Sequence, residues 1–227
     1  MRARLVLFDI DGTLVHTGGA GVRAFTQVFA TEFGALDGIE KLKFAGRTDV
    51  SLVREFFSLH AIAPTPEHFA RFFQSYVFWL DRLLQESHTS LCPGVWNFIR
   101  GLQALPEPPL LGLLTGNIRL GAEIKLRHFN IWEVFQTGAF ADDHEDRDQI
   151  AVLARQRGSR LLNQELRGDE ILVVGDTYYD VRCGRAIEAR VLAVATGGAT
   201  LQQLQDCQPD WAVPDLSAVT ADAVAGE

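Results

Sequence analysis

The chain has 227 residues, is 47% hydrophobic and carries a formal net charge of −8. That length fits a core with a substantial insertion, and the apolar share is enough to bury one, which argues against disorder. The acidic balance argues against a general nucleic-acid or anionic-membrane binder, and no stretch approaches the roughly 20 apolar residues of a membrane span.

Arg2 and Arg4 precede the first apolar run, but that run meets Asp9 too soon for a secretory signal, so the cytoplasm is the expected compartment. Cys92, Cys183 and Cys207 lie far apart, without the spacing of a zinc site or a disulfide framework. The run itself, over 4–8, reads as a strand buried on both faces. Asp9 and Asp11 follow at i, i+2, and Gly12 permits a sharp turn. Two acids at the carboxyl end of a buried parallel strand stand where open α/β sheets bind ligands.

Nearly a hundred residues then pass before the next strand, too many for a simple crossover. They read as helices from Gly21 to Phe33, Asp49 to Leu59 and Pro66 to Gln85. In the last, Phe69, Phe72, Phe73, Tyr76, Leu80, Leu83 and Leu84 form an apolar stripe with core character. Gly46-Arg47 falls in a turn between two of these helices, where an arginine can pair with a carboxylate on a small substrate or simply lie at the surface.

From residue 93 onward helices and strands alternate. Pro93-Gly94 opens a helix that the prolines at 106, 108 and 109 stop. A strand over 109–114 ends at Thr115-Gly116-Asn117, and a helix from Ile118 to Phe129 carries Lys125. A strand is expected over 134–138, followed by an acidic loop over 142–148 that contains His144 and ends near Arg147, and then a helix over 148–157. The loop reads as solvated rather than as a second metal site. Ile171 to Gly175 is a further strand, and Asp176 and Asp180 follow it, the latter opening a helix to Ala189. Strands over 191–195 and 211–213 and a short helix after Pro214 complete the chain. This alternation predicts an α/β fold, a doubly wound, Rossmann-like parallel sheet. Residues 1–14 and 89–227 form the expected catalytic core, and 15–88 an inserted helical domain.

Asp9-Ile10-Asp11-Gly12-Thr13-Leu14 resembles the first motif of the haloacid dehalogenase superfamily, whose phosphatases carry Asp-x-Asp-Gly-Thr-[Leu/Val] near the N-terminus. The strand ending in Thr115 is similar to the second motif, and Gly175-Asp176 with Asp180 to the fourth. Together they bracket nearly the whole chain in the family's order. The resemblance implies a phosphoglycolate-phosphatase-like enzyme whose insertion is a helical cap that closes over a small phosphorylated metabolite. It also implies a Mg²⁺ cofactor held by Asp9, the backbone carbonyl of Asp11, and Asp176. Asp9 is then the nucleophile that forms an aspartyl-phosphate, and Asp11 the general acid and base. Thr115, Gly116 and Asn117 hold phosphate oxygens, Gly12 lets the backbone approach, and Asp180 orients a metal-bound water or a cation.

Asp11 favours phosphoryl transfer over the dehalogenase and phosphonate-cleaving branches, which lack an acid there. The third motif departs from the family, because the loop over 138–148 has no lysine. Arg147 and Lys125 are both candidates for the cation. Lys125 stands about 10–12 Å along its helix, so its reach requires the helix to lean across the site. A phosphosugar mutase of the same superfamily is the alternative enzyme. A phospho-accepting module similar to response-regulator receivers is a third reading, disfavoured by the large insertion.

Overall fold

The computed structural model describes residues 2–226. Strand β1 (Leu5–Phe8) and the short β2 (Val15–His16) precede three helices, α1 (Ala20–Phe33), α2 (Asp49–Leu59) and α3 (Pro66–Gln85). Then come β3 (Ser90–Leu91), α4 (Val95–Gln103), β4 (Leu110–Leu114), α5 (Arg119–His128), β5 (Thr137–Ala139) and α6 (Arg147–Leu161). The chain continues through β6 (Ile171–Gly175), α7 (Tyr178–Ala186), β7 (Arg190–Val194), α8 (Leu201–Asp206), β8 (Trp211–Val213) and α9 (Ala221–Ala225).

Six strands form one sheet in the order β5-β4-β1-β6-β7-β8, and every pairing in it is parallel. The α/β, doubly wound architecture follows from the two-residue alternation of the strands. Val6, Phe8, Leu111, Leu113, Leu172 and Val174 point to one face, where α4, α5 and α9 cover them. Leu5, Leu7, Ile171, Val173 and Val191 point to the other, against α6, α7 and α8. Both faces are dry, which is why β1, β4 and β6 read as unbroken apolar runs.

The antiparallel pair β2–β3 stands at the two ends of the inserted segment, with Val15 opposite Leu91. Between them α1, α2 and α3 gather their own apolar centre around Phe25, Phe29, Phe56, Phe57 and Phe72, joined by Ile118 and Ala141 from the sheet side. Phe25 packs edge-on against both Phe72 and Tyr76 at 4.9 Å between centroids, a favoured aromatic geometry. Among the described residues no helix is long and apolar enough to cross a membrane.

The bounds of several elements differ from the sequence expectation, among them α7, which runs from Tyr178 to Ala186 rather than from Asp180 to Ala189. The fifth strand begins at Thr137 rather than 134, because Trp132–Val134 closes into a 3₁₀ turn first. Helix α6 begins at Arg147, one residue earlier than expected. Asp146 accepts a hydrogen bond from the Asp148 N–H at 2.9 Å and so caps the helix there. Arg147 is therefore helical rather than the end of a loop.

Candidate active site

Parallel register brings the acidic residues to one edge. Phe8 stands opposite both Leu113 and Val174, so Asp9, Thr115 and Asp176 emerge within one residue of the same height. Asp9 is fixed by its own N–H, which donates to the Val174 carbonyl at 2.9 Å. The chain then turns on Gly12 at φ +82. A Cβ on Gly12 would lie 2.6 Å from the Asp176 carboxylate, so glycine is needed there for close approach as well as for the turn.

The site has two linked clusters. In the first, Asp9, Asp176 and Asp180 each place a carboxylate oxygen within 4.8 Å of the others. Arg147 is ion-paired to Asp180 and stands 3.5 Å from Asp9. All four residues are buried. Asp180 also accepts from the Thr177 N–H at 2.9 Å and the Thr177 hydroxyl at 2.7 Å, which locks the first turn of α7. Asp176 accepts from the Thr13 hydroxyl at 3.1 Å.

In the second cluster the Lys125 ammonium donates to Asp11 Oδ2 and to Asn117 Oδ1, both at 2.6 Å. The Asn117 amide donates to Asp11 at 2.8 Å and to the Thr115 hydroxyl at 2.9 Å. Asp11, Asn117, Thr115 and Lys125 thus form one hydrogen-bonded chain. The helical insertion presses close at Gly116, since a Cβ there would meet the Arg47 carbonyl at 2.2 Å.

Burial pushes the Asp9 carboxyl up to about 7; Arg147 offsets part of this, while Asp180 and Asp11 add to it. Burial, then Asp180 and Asp9, push Asp176 well above the usual carboxylate range. Burial opposes the Arg147 charge, but Asp180 and Asp9 outweigh it and raise the guanidinium above its ordinary value. The cluster therefore sets three buried carboxylates against one cation.

That donor set fits a hard divalent ion such as Mg²⁺. It is all oxygen, it leaves an excess of two negative charges, and Asp176 has one oxygen, Oδ2, with no hydrogen bond among the described residues. Both Asp180 oxygens are engaged by Arg147 and Thr177, so Asp9 and Asp176 are the carboxylates available to an ion. The Asp11 carboxylate lies outside this cluster, and its Oδ2 is bonded to Lys125 and Asn117.

A cavity of about 290 Å³ lies between these strand ends and α1–α3. Asp9, Asp11, Gly12, Thr115, Gly116, Asn117, Lys125, Arg147, Asp176 and Arg47 all line it, while Asp180 sits behind Arg147. The two cations divide: Arg147 serves Asp9 and Asp180, and Lys125 serves Asp11. Arg47 lines the cavity but has partners in α2. Its guanidinium pairs with Glu55 at 2.9 Å and donates to Ser51 at 3.2 Å, so neighbouring side chains of α2 hold it along that helix. Three lining or supporting residues were not singled out for the site from sequence. Thr13 holds Asp176, Tyr76 belonged to an apolar stripe, and Asp49 marked only the start of a helix. Position beside Gly46-Arg47 was the available signal for Asp49.

The haloacid dehalogenase-like hydrolase family model matches residues 6–194. The chain is 24% identical over 227 residues to the pyrophosphatase PpaX of Bacillus cereus, covering 96% of this chain and 94% of that protein. It is 24% identical over 192 residues to the bifunctional riboflavin kinase/FMN phosphatase of Arabidopsis thaliana, covering 83% of this chain and 48% of that one. The chain thus spans about half the length of the plant protein. Among solved structures it resembles a CbbY variant from Rhodobacter sphaeroides in complex with xylulose-(1,5)bisphosphate, with a TM-score of 0.78, 20% identity and 100% of both chains covered. It also resembles a predicted phosphoglycolate phosphatase from Haemophilus somnus, with a TM-score of 0.73, 18% identity, and 98% and 97% of the two chains covered.

Proposed function

The chain is an enzyme of the haloacid dehalogenase-like hydrolase family, and we propose that it is a Mg²⁺-dependent phosphatase that hydrolyses a small phosphate monoester through an aspartyl-phosphate on Asp9. One observation carries this reading. A buried carboxylate, Asp9, opens onto a cavity together with a second acid, Asp11, that is held in place by Lys125 and Asn117. The similarity to proteins named for phosphatase and pyrophosphatase activities supports it.

In the proposed reaction an Asp9 oxygen attacks phosphorus and the bond to the leaving oxygen breaks. Asp11 donates its proton to that oxygen, releasing an alcohol. In the second half Asp11 takes a proton from water, which attacks phosphorus and frees Asp9 and inorganic phosphate. Lys125 and Asn117 both bond Asp11 Oδ2, which aims the other oxygen at the proton's path. The Thr115 hydroxyl and the amides of Gly116 and Asn117 bind phosphoryl oxygens at the strand end, and Arg147 balances charge beside Asp9. Asp9, Asp176 and the Asp11 carbonyl would hold Mg²⁺, which when bound neutralises phosphoryl charge as a Lewis acid. We assign residues 15–88 as the cap that excludes bulk water from this chemistry.

Turnover of p-nitrophenyl phosphate tests the reading. Activity should require Mg²⁺, vanish with EDTA, and trap a phosphoryl group on Asp9 under rapid quench. Hydrolysis that persists in metal-free protein, or that survives Asp9→Asn with reversion to Asp excluded, would overturn it.

A further inference from the structure

The end of the cavity facing α1–α3 has a chemistry that the reaction above does not use. Three basic side chains line the cavity, Arg47, Lys125 and Arg147, and each is already committed. Lys125 binds Asp11 and Asn117, Arg147 binds Asp180, and Arg47 binds Glu55. Facing this end is Asp49, which is only 8% exposed. Its N–H donates to the Gly116 carbonyl at 2.7 Å, and its Oδ2 accepts from the Ile118 N–H at 2.8 Å. Among the described residues its other oxygen, Oδ1, has no hydrogen-bond partner, and neither does the hydroxyl of Tyr76, a residue only 1% exposed. Burial, with Asp49 and Asp11 nearby, holds that phenol neutral, so it remains a donor as well as an acceptor.

Gly21 leaves space between these groups. A Cβ built on it stands 3.8 Å from the Lys125 ammonium and 3.9 Å from the Tyr76 hydroxyl, with no closer atom in its way. Val22, Phe25, Phe44 and Leu52 wall the same end with apolar surface. When ionised, the Asp49 oxygen that faces this cavity can only accept hydrogen bonds, and leaving it unmatched against apolar walls is costly. A ligand that brings donors there satisfies it, whereas a ligand that brings a second anion meets repulsion with no free cation to offset it.

We infer that Asp49, with the Tyr76 hydroxyl, selects a leaving group that presents hydrogen-bond donors and carries no negative charge. The inference rests on the phosphatase reading and specifies its substrate class as polyol or amino-alcohol phosphates. It sets this chain apart from the proteins named for pyrophosphate and phosphoglycolate and from the bisphosphate complex, whose ligands all carry a second anion, whereas FMN, for which another relative is named, has an uncharged alcohol as its leaving group.

The test is a kcat/KM series on the wild-type enzyme with Mg²⁺. Glycerol 3-phosphate and sorbitol 6-phosphate represent polyols, and phosphoethanolamine represents amino alcohols. Phosphoglycolate and fructose 1,6-bisphosphate represent anionic leaving groups, and p-nitrophenyl phosphate reports the chemistry alone. The best polyol or amino-alcohol ester should exceed both anionic esters by at least about tenfold, a modest part of what hydrogen-bonding sites achieve. Which of the two donor classes leads identifies the source of the donors. Asp49→Asn keeps an acceptor for the Ile118 N–H but removes the charge, and should shrink the preference at least about tenfold. Tyr76→Phe keeps the ring packing and should lower kcat/KM for the donor-bearing esters, a second readout if Asp49→Asn fails to fold. Equal or better turnover of the anionic esters, with p-nitrophenyl phosphate hydrolysed, overturns the inference and leaves the phosphatase reading standing. No hydrolysis of p-nitrophenyl phosphate overturns both.

Discussion

Lys125 and Asp11 form a 2.6 Å ion pair, although the lysine lies in the last turn of α5 and the aspartate beyond the end of β1. Helical side chains lean toward the helix N-terminus. The Lys125 arm therefore runs back along α5 toward Asn117, whose carbonyl oxygen binds the ammonium and whose amide binds the same Asp11 oxygen. The triangle sets the orientation of the proposed acid. Lys125→Ala should lower kcat about 10- to 100-fold on alkyl phosphates, within the usual weight of general acid catalysis. The loss should be clearly smaller on p-nitrophenyl phosphate, whose leaving group needs no proton. Equal losses on both substrates would place Lys125 on the phosphoryl group instead.

Asp9→Asn should abolish hydrolysis while leaving the fold intact, since the amide conserves volume but is no nucleophile. Asp11→Asn should be severely impaired, and least so on p-nitrophenyl phosphate. Circular dichroism and initial rates on the same preparations check both.

Arg147 is the only cation paired with Asp180 among the described residues, and both side chains are almost fully buried, at 4% and 1% exposure. Removing one partner of such a pair leaves a buried charge uncompensated, at a cost of about 3–5 kcal/mol. Arg147→Ala should therefore lower Tm sharply and reduce kcat at least about tenfold. Arg147→Asn/Asp180→Asn together should recover much of the stability but not the rate, as denaturant melts and kinetics will show.

Metal-free protein should lose stability as pH rises. Asp9 and Asp49 are both raised from ordinary values near 3.8 to about 7, in each case chiefly by burial. Between those values the folded chain binds more protons than the unfolded chain. Their contribution is fully present below about pH 4 and is lost as pH rises through about 7. With EDTA, Tm should fall between about pH 5.5 and pH 8. In the proposed site Mg²⁺ would take the place of the proton at Asp9, so it should raise Tm more at the higher pH, and Asp176→Ala should largely remove that gain. A Mg²⁺ effect on Tm that is independent of pH would contradict this account.

Gly116→Ala probes the contact between the insertion and the sheet. Its Cβ would fall 2.2 Å from the Arg47 backbone carbonyl, so the segment around Arg47 and Asp49 must retreat. KM should rise several-fold or more, beyond any loss in kcat, because the cavity wall moves with that segment. Limited proteolysis should cut faster between residues 44 and 49.

What the sequence alone determined rests on short-range patterns. An apolar run followed by Asp9-Ile10-Asp11-Gly12 carries its strand, its acids and its turn in one stretch, because burial on both faces requires unbroken apolar residues and the turn requires glycine. The same holds for β4 with Thr115 and for β6 with Asp176, so the sheet and the residues at its edge were legible. The long insertion was legible as helices from the spacing of its aromatic residues. Which cation serves which acid was decided only by tertiary structure. Arg147 looked like a loop residue until the Asp146 cap began α6 there and placed it against Asp180. Lys125 lay too far along its helix by axial distance, and only the fold of its arm toward Asn117 brings it to Asp11. Arg47 turned to Glu55, while nearby Asp49 became a further buried acid of the cavity. Pairing and burial depend on side chains far apart in the chain, 114 positions for Lys125 and Asp11 and 163 for Thr13 and Asp176. No local pattern records such distances, because only the packed sheet and helices bring those groups within reach of one another.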